Sequence, residues 1–291
     1  MLELQSEPVL TPPLASATVI LLRDGAEGLE VFLLERHAES DVLGGVFVFP
    51  GGKVDRDDVD WLDQLDLKMD ELQRRLGEPD LSSKQAAMLH IAAVREVFEE
   101  TGVLFAPVSG DIARDAWRRL REGPRFTELL EPTGVRLDTG QLRPWSRWIT
   151  PLVPSMQRKR FDTRFFVARV PEGQTPTHDE HEATASIWLQ PGTALQRYWD
   201  REIDLAPPQI MTLAQLTRLD DVASVLASAD ARQPPCIKPH PIELPGGRIL
   251  CYPGDPEHPV AERAMAGPLR LYWRNRRFEP EQGTLAALLK D

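Results

Sequence analysis

Three glutamates crowd the stretch Arg95-Glu96-Val97-Phe98-Glu99-Glu100-Thr101-Gly102-Val103-Leu104. On a helix, Glu96, Glu99 and Glu100 fall at i, i+3 and i+4 and share one face. Carboxylates stacked in this way repel by about 0.2–0.5 kcal/mol per pair on an exposed helix. A hard divalent cation with oxygen ligands is the natural compensation. The competing reading is a solvated acidic face, the usual fate of a charge run. That reading leaves two neighbours unexplained: Arg95 at the head of the cluster, and Gly102, which suits a left-handed helix stop.

The segment resembles the second half of the Nudix box, G-x5-E-x7-R-E-U-x-E-E-x-G-U with U aliphatic. Arg95, Glu96, Val97, Glu99, Glu100, Gly102 and Val103 fill it without a mismatch. Upstream, Phe49-Pro50-Gly51-Gly52-Lys53-Val54-Asp55 resembles the glycine-rich entry to the Nudix helix. Gly52 and Arg95 are 43 positions apart, against 14 in the family pattern, so about 29 residues are inserted within the box. A box split in this way after FPGGKVD resembles the subfamily called nucleoside diphosphate-linked moiety X motif 19, a relative of coenzyme A diphosphatases. Trp148-Ile149-Thr150-Pro151 followed by Arg160-Phe161-Asp162-Thr163-Arg164-Phe165-Phe166 is similar to the same branch, as is Glu182 six residues before Trp188. The resemblance covers residues 15–190 well and 191–291 loosely.

The resemblance implies an α/β/α Nudix sandwich with a mixed sheet and a metal-dependent diphosphate hydrolase. Glu96, Glu99 and Glu100, with the Gly51 carbonyl, would hold Mg2+ or Mn2+. Either Glu99 or Glu182 would be the general base, and Arg95 would orient a ligand carboxylate. Arg36, Gly52, Arg160, Phe161 and Asp162 are the substrate-binding candidates; Arg158 and Lys159 are weaker ones. The partner of Arg95 is unassigned. Counting back eight positions gives Ala87 where the family has glutamate, and counting forward six from Gly52 gives Asp58. The implied substrate is a nucleoside diphosphate linked to another moiety, with coenzyme A or acyl-CoA favoured, yielding 3',5'-ADP and 4'-phosphopantetheine. NADH and ADP-ribose are alternatives. Val31-Phe32-Leu33-Leu34-Glu35-Arg36-His37 matches the coenzyme A signature L-L-x3-R-S only in part. A non-catalytic ligand-binding or regulatory module of the same fold is the other class, disfavoured by the intact glutamate set.

Composition limits the partners. A net charge of −11 argues against a nucleic-acid polymer, whose phosphates select basic surfaces. The apolar run Leu14–Leu22 is too short to cross a membrane, and Met-Leu-Glu-Leu-Gln-Ser-Glu lacks a signal peptide's basic start. The tail Leu288-Leu289-Lys290-Asp291 is not of the peroxisomal S-K-L type. A cytoplasmic enzyme is therefore expected, and a homodimer is left open. Cys236 and Cys251 lack metal-ligand spacing and read as reduced thiols.

The elements that must position these groups follow from periodicity. Ala17–Leu22 and Leu29–Leu34 read as a hairpin around Asp24–Gly28, and Val46–Phe49 as a strand entering the glycine loop. Ser82 and Gln85 form a capping-box start for the glutamate helix. Strands are expected at Val103–Phe105, Trp145–Ile149, Arg164–Val170 and Ala183–Leu189, and a helix at Asp111–Arg121. The expected organisation is a flexible segment 1–14, a Nudix domain 15–190, and a mainly helical C-terminal extension 191–291 packed on it. The insertion, 56–81, has helical apolar spacing ended by Gly77 and Pro79. It is expected to lie as a helical flap over the rim of the site and help choose the attached moiety.

Overall fold

Apolar residues alternate along the first two strands, and the alternation sends them to two different cores. The computed structural model describes residues 4, 7–37, 39–40, 43–130, 134–155, 159–245 and 247–290. In it β1 (Leu14–Gly25) and β2 (Gly28–Arg36) pair antiparallel, closing at Gly25 and Gly28. Ala17, Val19, Leu21, Phe32 and Leu34 enter one core, and Ile20, Leu22, Val31 and Leu33 enter the other. A sheet apolar on both faces needs a layer on each.

After β3 (Val46–Val48) and β4 (Gly51–Lys53), the chain makes a 3-10 helix, Asp57–Gln64, and then α1 (Met69–Leu76) and α2 (Ser83–Thr101). Next come α3 (Gly110–Leu120), α4 (Phe126–Leu130), β5 (Arg143–Ile149), β6 (Phe161–Arg169) and β7 (Ala183–Leu189). Then α5 (Pro191–Trp199), β8 (Asp204–Leu205), α6 (Pro207–Leu216) and α7 (Val222–Asp230) follow. The chain closes with β9 (Cys236–Ile237), β10 (His240–Leu244), β11 (Gly247–Cys251), β12 (Arg270–Arg274), β13 (Arg277–Glu279) and α8 (Leu285–Leu289). The main sheet runs β8-β3-β2-β1-β6-β5-β9, with β4 added to β1 and β7 to β2. At its centre β1 and β6 are parallel, from Leu14 opposite Phe161 to Leu22 opposite Arg169. The α2 helix covers one face and α5, α6 and α7 the other, so the layers are α/β/α.

Several expectations are corrected. Beyond Asp230 the region is mainly strand, with α8 as its one short helix among the described residues: β10 to β13 form a separate four-stranded antiparallel sheet, and β9 joins the main sheet. Its strands are two to five residues long, too short for apolar alternation to announce them. Val103–Phe105 is no strand. The Gln174 carboxamide binds both backbone groups of Leu104, accepting from its N–H at 2.8 Å and donating to its carbonyl at 2.9 Å. A side chain thus replaces a neighbouring strand. The insertion is not a flap. Trp61, Leu65, Leu72 and Leu76 are buried in the core beneath α2, and Trp61 lies 5.0 Å from the Phe126 ring. Of the leader, residues 1–3, 5 and 6 lie outside the described residues; Val9 donates its N–H to the Leu152 carbonyl at 2.8 Å. Both cysteines are free, Cys236 exposed and Cys251 buried. No helix among the described residues is long and apolar enough to cross a membrane.

Candidate active site

The glutamate helix begins and ends where its residues say it should. Ser82 Oγ accepts from the Gln85 N–H and the Gln85 side chain accepts from the Ser82 N–H, completing the capping box. Gly102 ends it in the left-handed region, φ 75°, its N–H donating to the Phe98 carbonyl. Between these stops Val94, Val97, Phe98 and Thr101 face the core, which turns Glu96, Glu99 and Glu100 towards the glycine strand. Gly51 N–H donates to Glu100 Oε2 at 2.8 Å. A Cβ on Gly52 would lie 2.4 Å from the Glu96 carboxylate, so a side chain there would displace that carboxylate.

Arg95 organises the cluster. Its Nη1 donates to Glu96 Oε1 at 2.8 Å and Glu99 Oε2 at 2.9 Å, and its Nη2 to the Lys53 carbonyl at 2.9 Å. Its Nε donates to Asp58 Oδ1 at 2.7 Å. Asp58 is therefore the partner the sequence left unassigned, and it stands six residues after Gly52 as the unsplit pattern would have it. The spacing of the box is thus kept as far as Asp58, at the start of the 56–81 segment. Ala87 is a fully buried core residue of α2. Burial alone would lower the Arg95 guanidinium's pKa, but Asp58, Glu96 and Glu99 raise it on balance.

The carboxylates hold too little positive charge between them. Burial, and then repulsion from Glu96 and Glu182, raises Glu99 to about 7 against the pull of Arg95. Burial raises Glu96 against Arg95, and burial with Glu96 and Glu182 puts Glu100 well above the usual carboxylate range. An all-oxygen donor set short of compensating charge fits a divalent metal ion. Among the described residues no three acidic, His or Cys side chains already converge into a coordination shell. Arg95 holds Glu96 and Glu99, and the Gly51 N–H holds Glu100.

Glu182 reaches this cluster from an exposed turn before β7. The turn is tied to the end of α2: Asp179 N–H donates to the Glu100 carbonyl and Thr177 N–H to that of Thr101, both at 3.1 Å. His181 and Glu182 line the same cleft of about 830 Å³ as Glu96, Glu99, Glu100, Gly51, Gly52, Arg36 and Phe161. Arg36 approaches Glu100 Oε1 at 4.0 Å, and its buried Nε has no hydrogen-bond partner among the described residues. The remaining candidates are engaged elsewhere. Arg160 donates to the carbonyls of Thr150 and Thr11, at 3.2 and 3.3 Å. Asp162 accepts from Arg147 Nε at 2.8 Å and pairs with Arg164, in a network completed by Glu78 of the insertion. Neither lines the cleft, although Lys159 does; Arg158 lies outside the described residues.

Sequence reasoning missed much of the wall. Trp148 and Phe165 line the cleft, joined by Ala206, Pro207, Pro208 and Gln209 from the start of α6, and by Pro239 and Leu250. None of the described residues of 56–81 does. The Pro207-Pro208 pair was the available signal for α6, but nothing local says where a helix begins in space.

An α/β/α fold whose cleft carries an arginine-anchored glutamate helix beside a glycine strand defines a Nudix domain. A family profile described as the NUDT19 Nudix domain matches residues 14–216, and the chain belongs to that family. It is 30% identical over 239 residues to the Homo sapiens acyl-coenzyme A diphosphatase NUDT19, covering 68% of this chain and 64% of that protein. It is 27% identical to the Xenopus laevis protein of the same name over 225 residues, 64% of this chain, and the match spans only 59% of that relative's own length. A Nudix hydrolase crystal structure from Alicyclobacillus acidocaldarius superposes with a TM-score of 0.60 at 26% identity, covering 75% of this chain and 97% of that one.

Proposed function

We propose that the chain is a metal-dependent diphosphatase acting on a nucleoside diphosphate linked to another moiety, with coenzyme A or acyl-CoA as substrate. The observation that carries this reading is the composition of one cleft. Its acidic part suits a metal-bound diphosphate, and its remaining lining, with Trp148, Phe161, Phe165 and Pro207, suits a long, weakly polar attachment. The names of the human and Xenopus relatives agree with it.

Glu96, Glu99, Glu100 and the Gly51 carbonyl would hold Mg2+ or Mn2+, which supplies charge neutralisation at the diphosphate and a more acidic water. This chain's residues do the rest. Arg95 fixes two of the glutamates and ties them to the glycine strand. Arg36, with its unpartnered Nε, neutralises a phosphate oxygen. A water oxygen attacks phosphorus while a carboxylate, Glu99 or Glu182, takes its proton. The bond from that phosphorus to the bridging oxygen breaks, and the second phosphate leaves with that oxygen.

A hydrolysis screen of CoA, acyl-CoA, NADH, ADP-ribose and diadenosine polyphosphates, each with Mg2+ and Mn2+, tests the reading. Release of 3',5'-ADP and 4'-phosphopantetheine is expected. Turnover confined to NADH or ADP-ribose would transfer the assignment to a pyrophosphatase of those nucleotides, and binding without turnover would point to a non-catalytic module. In the same assay Glu182→Gln assigns the base. Loss of the acidic limb of the pH–rate profile places it at Glu182, and an unchanged profile places it at Glu99.

A further inference from the structure

The start of α6 forms part of the cleft wall, and Gln209 there carries a buried acceptor without a hydrogen-bond partner among the described residues. Pro207 and Pro208 occupy the first two helical positions, where a missing N–H costs nothing. Gln209 follows at the third, where a glutamine usually reaches back to cap the helix. No side-chain cap forms, and Gln209 Oε1 is buried without a hydrogen-bond partner although the residue is only 6% exposed. Trp148, which lines the same cleft from β5, likewise keeps its indole Nε1 buried and unpartnered. Gln209 Oε1 and the Trp148 indole N–H, both buried and unpaired among the described residues, are expensive for the fold alone, and a ligand that draws either side chain towards the cleft can satisfy them.

We infer that Gln209 is a specificity-determining residue that hydrogen-bonds an amide in a flexible, largely apolar chain attached to the diphosphate. This deepens, and rests on, the diphosphatase reading above. A carboxamide offers one acceptor and two donors, the complement of a secondary amide's N–H and C=O. The neighbouring Ala206, Pro207, Pro208 and Phe161 cover methylene groups but would leave the several hydroxyls of a second sugar unpaired.

The test is Gln209→Met, which keeps length and apolar bulk but removes the hydrogen bonds. With CoA, whose attached chain carries two amides, KM is expected to rise about tenfold with kcat within about twofold, the loss of one or two hydrogen bonds to a desolvated partner. ADP-ribose, with no amide in its attached moiety, serves as control, read as KM or as an inhibition constant; its value should not move. An unchanged KM for CoA, or an equal rise for both ligands, overturns the inference. If the wild-type protein hydrolyses no CoA, the diphosphatase reading fails on its own. Calorimetric titration with pantetheine then decides the subsite: binding weakened in Gln209→Met upholds it, and equal or absent binding refutes it.

Discussion

The insertion at 56–81 and the chain beyond residue 190 both serve the cleft, one from beneath and the other along its wall. The insertion acts through buried and half-buried charge. Asp58, 1% exposed, grips Arg95, and Glu78 ties down Arg164 and Arg147. The later region contributes uncharged groups, Ala206 to Gln209, Pro239 and Leu250, directly to the wall. Buried charges need all their partners, so the first arrangement tolerates little change. A neutral wall can be altered one side chain at a time, and the proposed function assigns selection of the attached moiety to the second.

The largest expected effect lies in the insertion. Trp61→Ala should cost about 3–5 kcal/mol, since it empties a core site against Phe126. Denaturant unfolding would measure it. A loss below about 1 kcal/mol would mean the insertion is peripheral after all, and the contrast with the later region would collapse. Asp58→Asn should cost about 3 kcal/mol, at the low end for breaking a buried pair because Glu96 and Glu99 still face Arg95. Gln209→Met should leave the melting temperature nearly unchanged; equal destabilisation in the two variants would erase the distinction.

Chemistry separates the regions next. Glu99→Gln and Glu100→Gln should each lower kcat by at least about 10²-fold while the protein stays folded, because each removes a charge needed for the reaction. Without metal, melting temperature should hold or rise, since repulsion is relieved. Wild-type turnover in both would remove the cluster from the active site.

The smallest effect tests the opposite side of the same helix. His90 is fully buried, its Nδ1–H donating to the Ala86 carbonyl at 2.8 Å and its ring 4.8 Å from Phe166. Burial pushes its pKa down from 6.5 to about 4. The unfolded chain therefore binds this proton more tightly than the folded one. The neutral ring's contribution is complete above about pH 6.5, falls as pH drops towards 4, and changes no further below that. The loss should be about 2–3 kcal/mol across that window. In His90→Phe the stability–pH curve should lose this slope; an identical slope would assign the acid sensitivity to other groups.

The glutamate helix was legible because everything that defines it is local. The i, i+3, i+4 spacing sets the shared face, Ser82 and Gln85 start the helix, and Gly102 can adopt the φ its end requires. The β1–β2 hairpin was readable for the same reason. The absence of a strand at Val103–Phe105 was not, since a side chain 70 positions later satisfies Leu104. Arg95's partner was visible only as two candidates in a count. Tertiary structure chose Asp58, because the inserted chain's apolar residues pack under α2 and carry that carboxylate to the guanidinium.

By itself, then, the sequence determined the helix that carries the acidic pole and the face its glutamates share, through short-range spacing and backbone preferences. Tertiary structure alone decided which segments line the rest of the cleft. Apolar periodicity says that a helix has a buried face and not which neighbour buries it. The same kind of pattern sent 56–81 into the core and placed the start of α6 on the cleft.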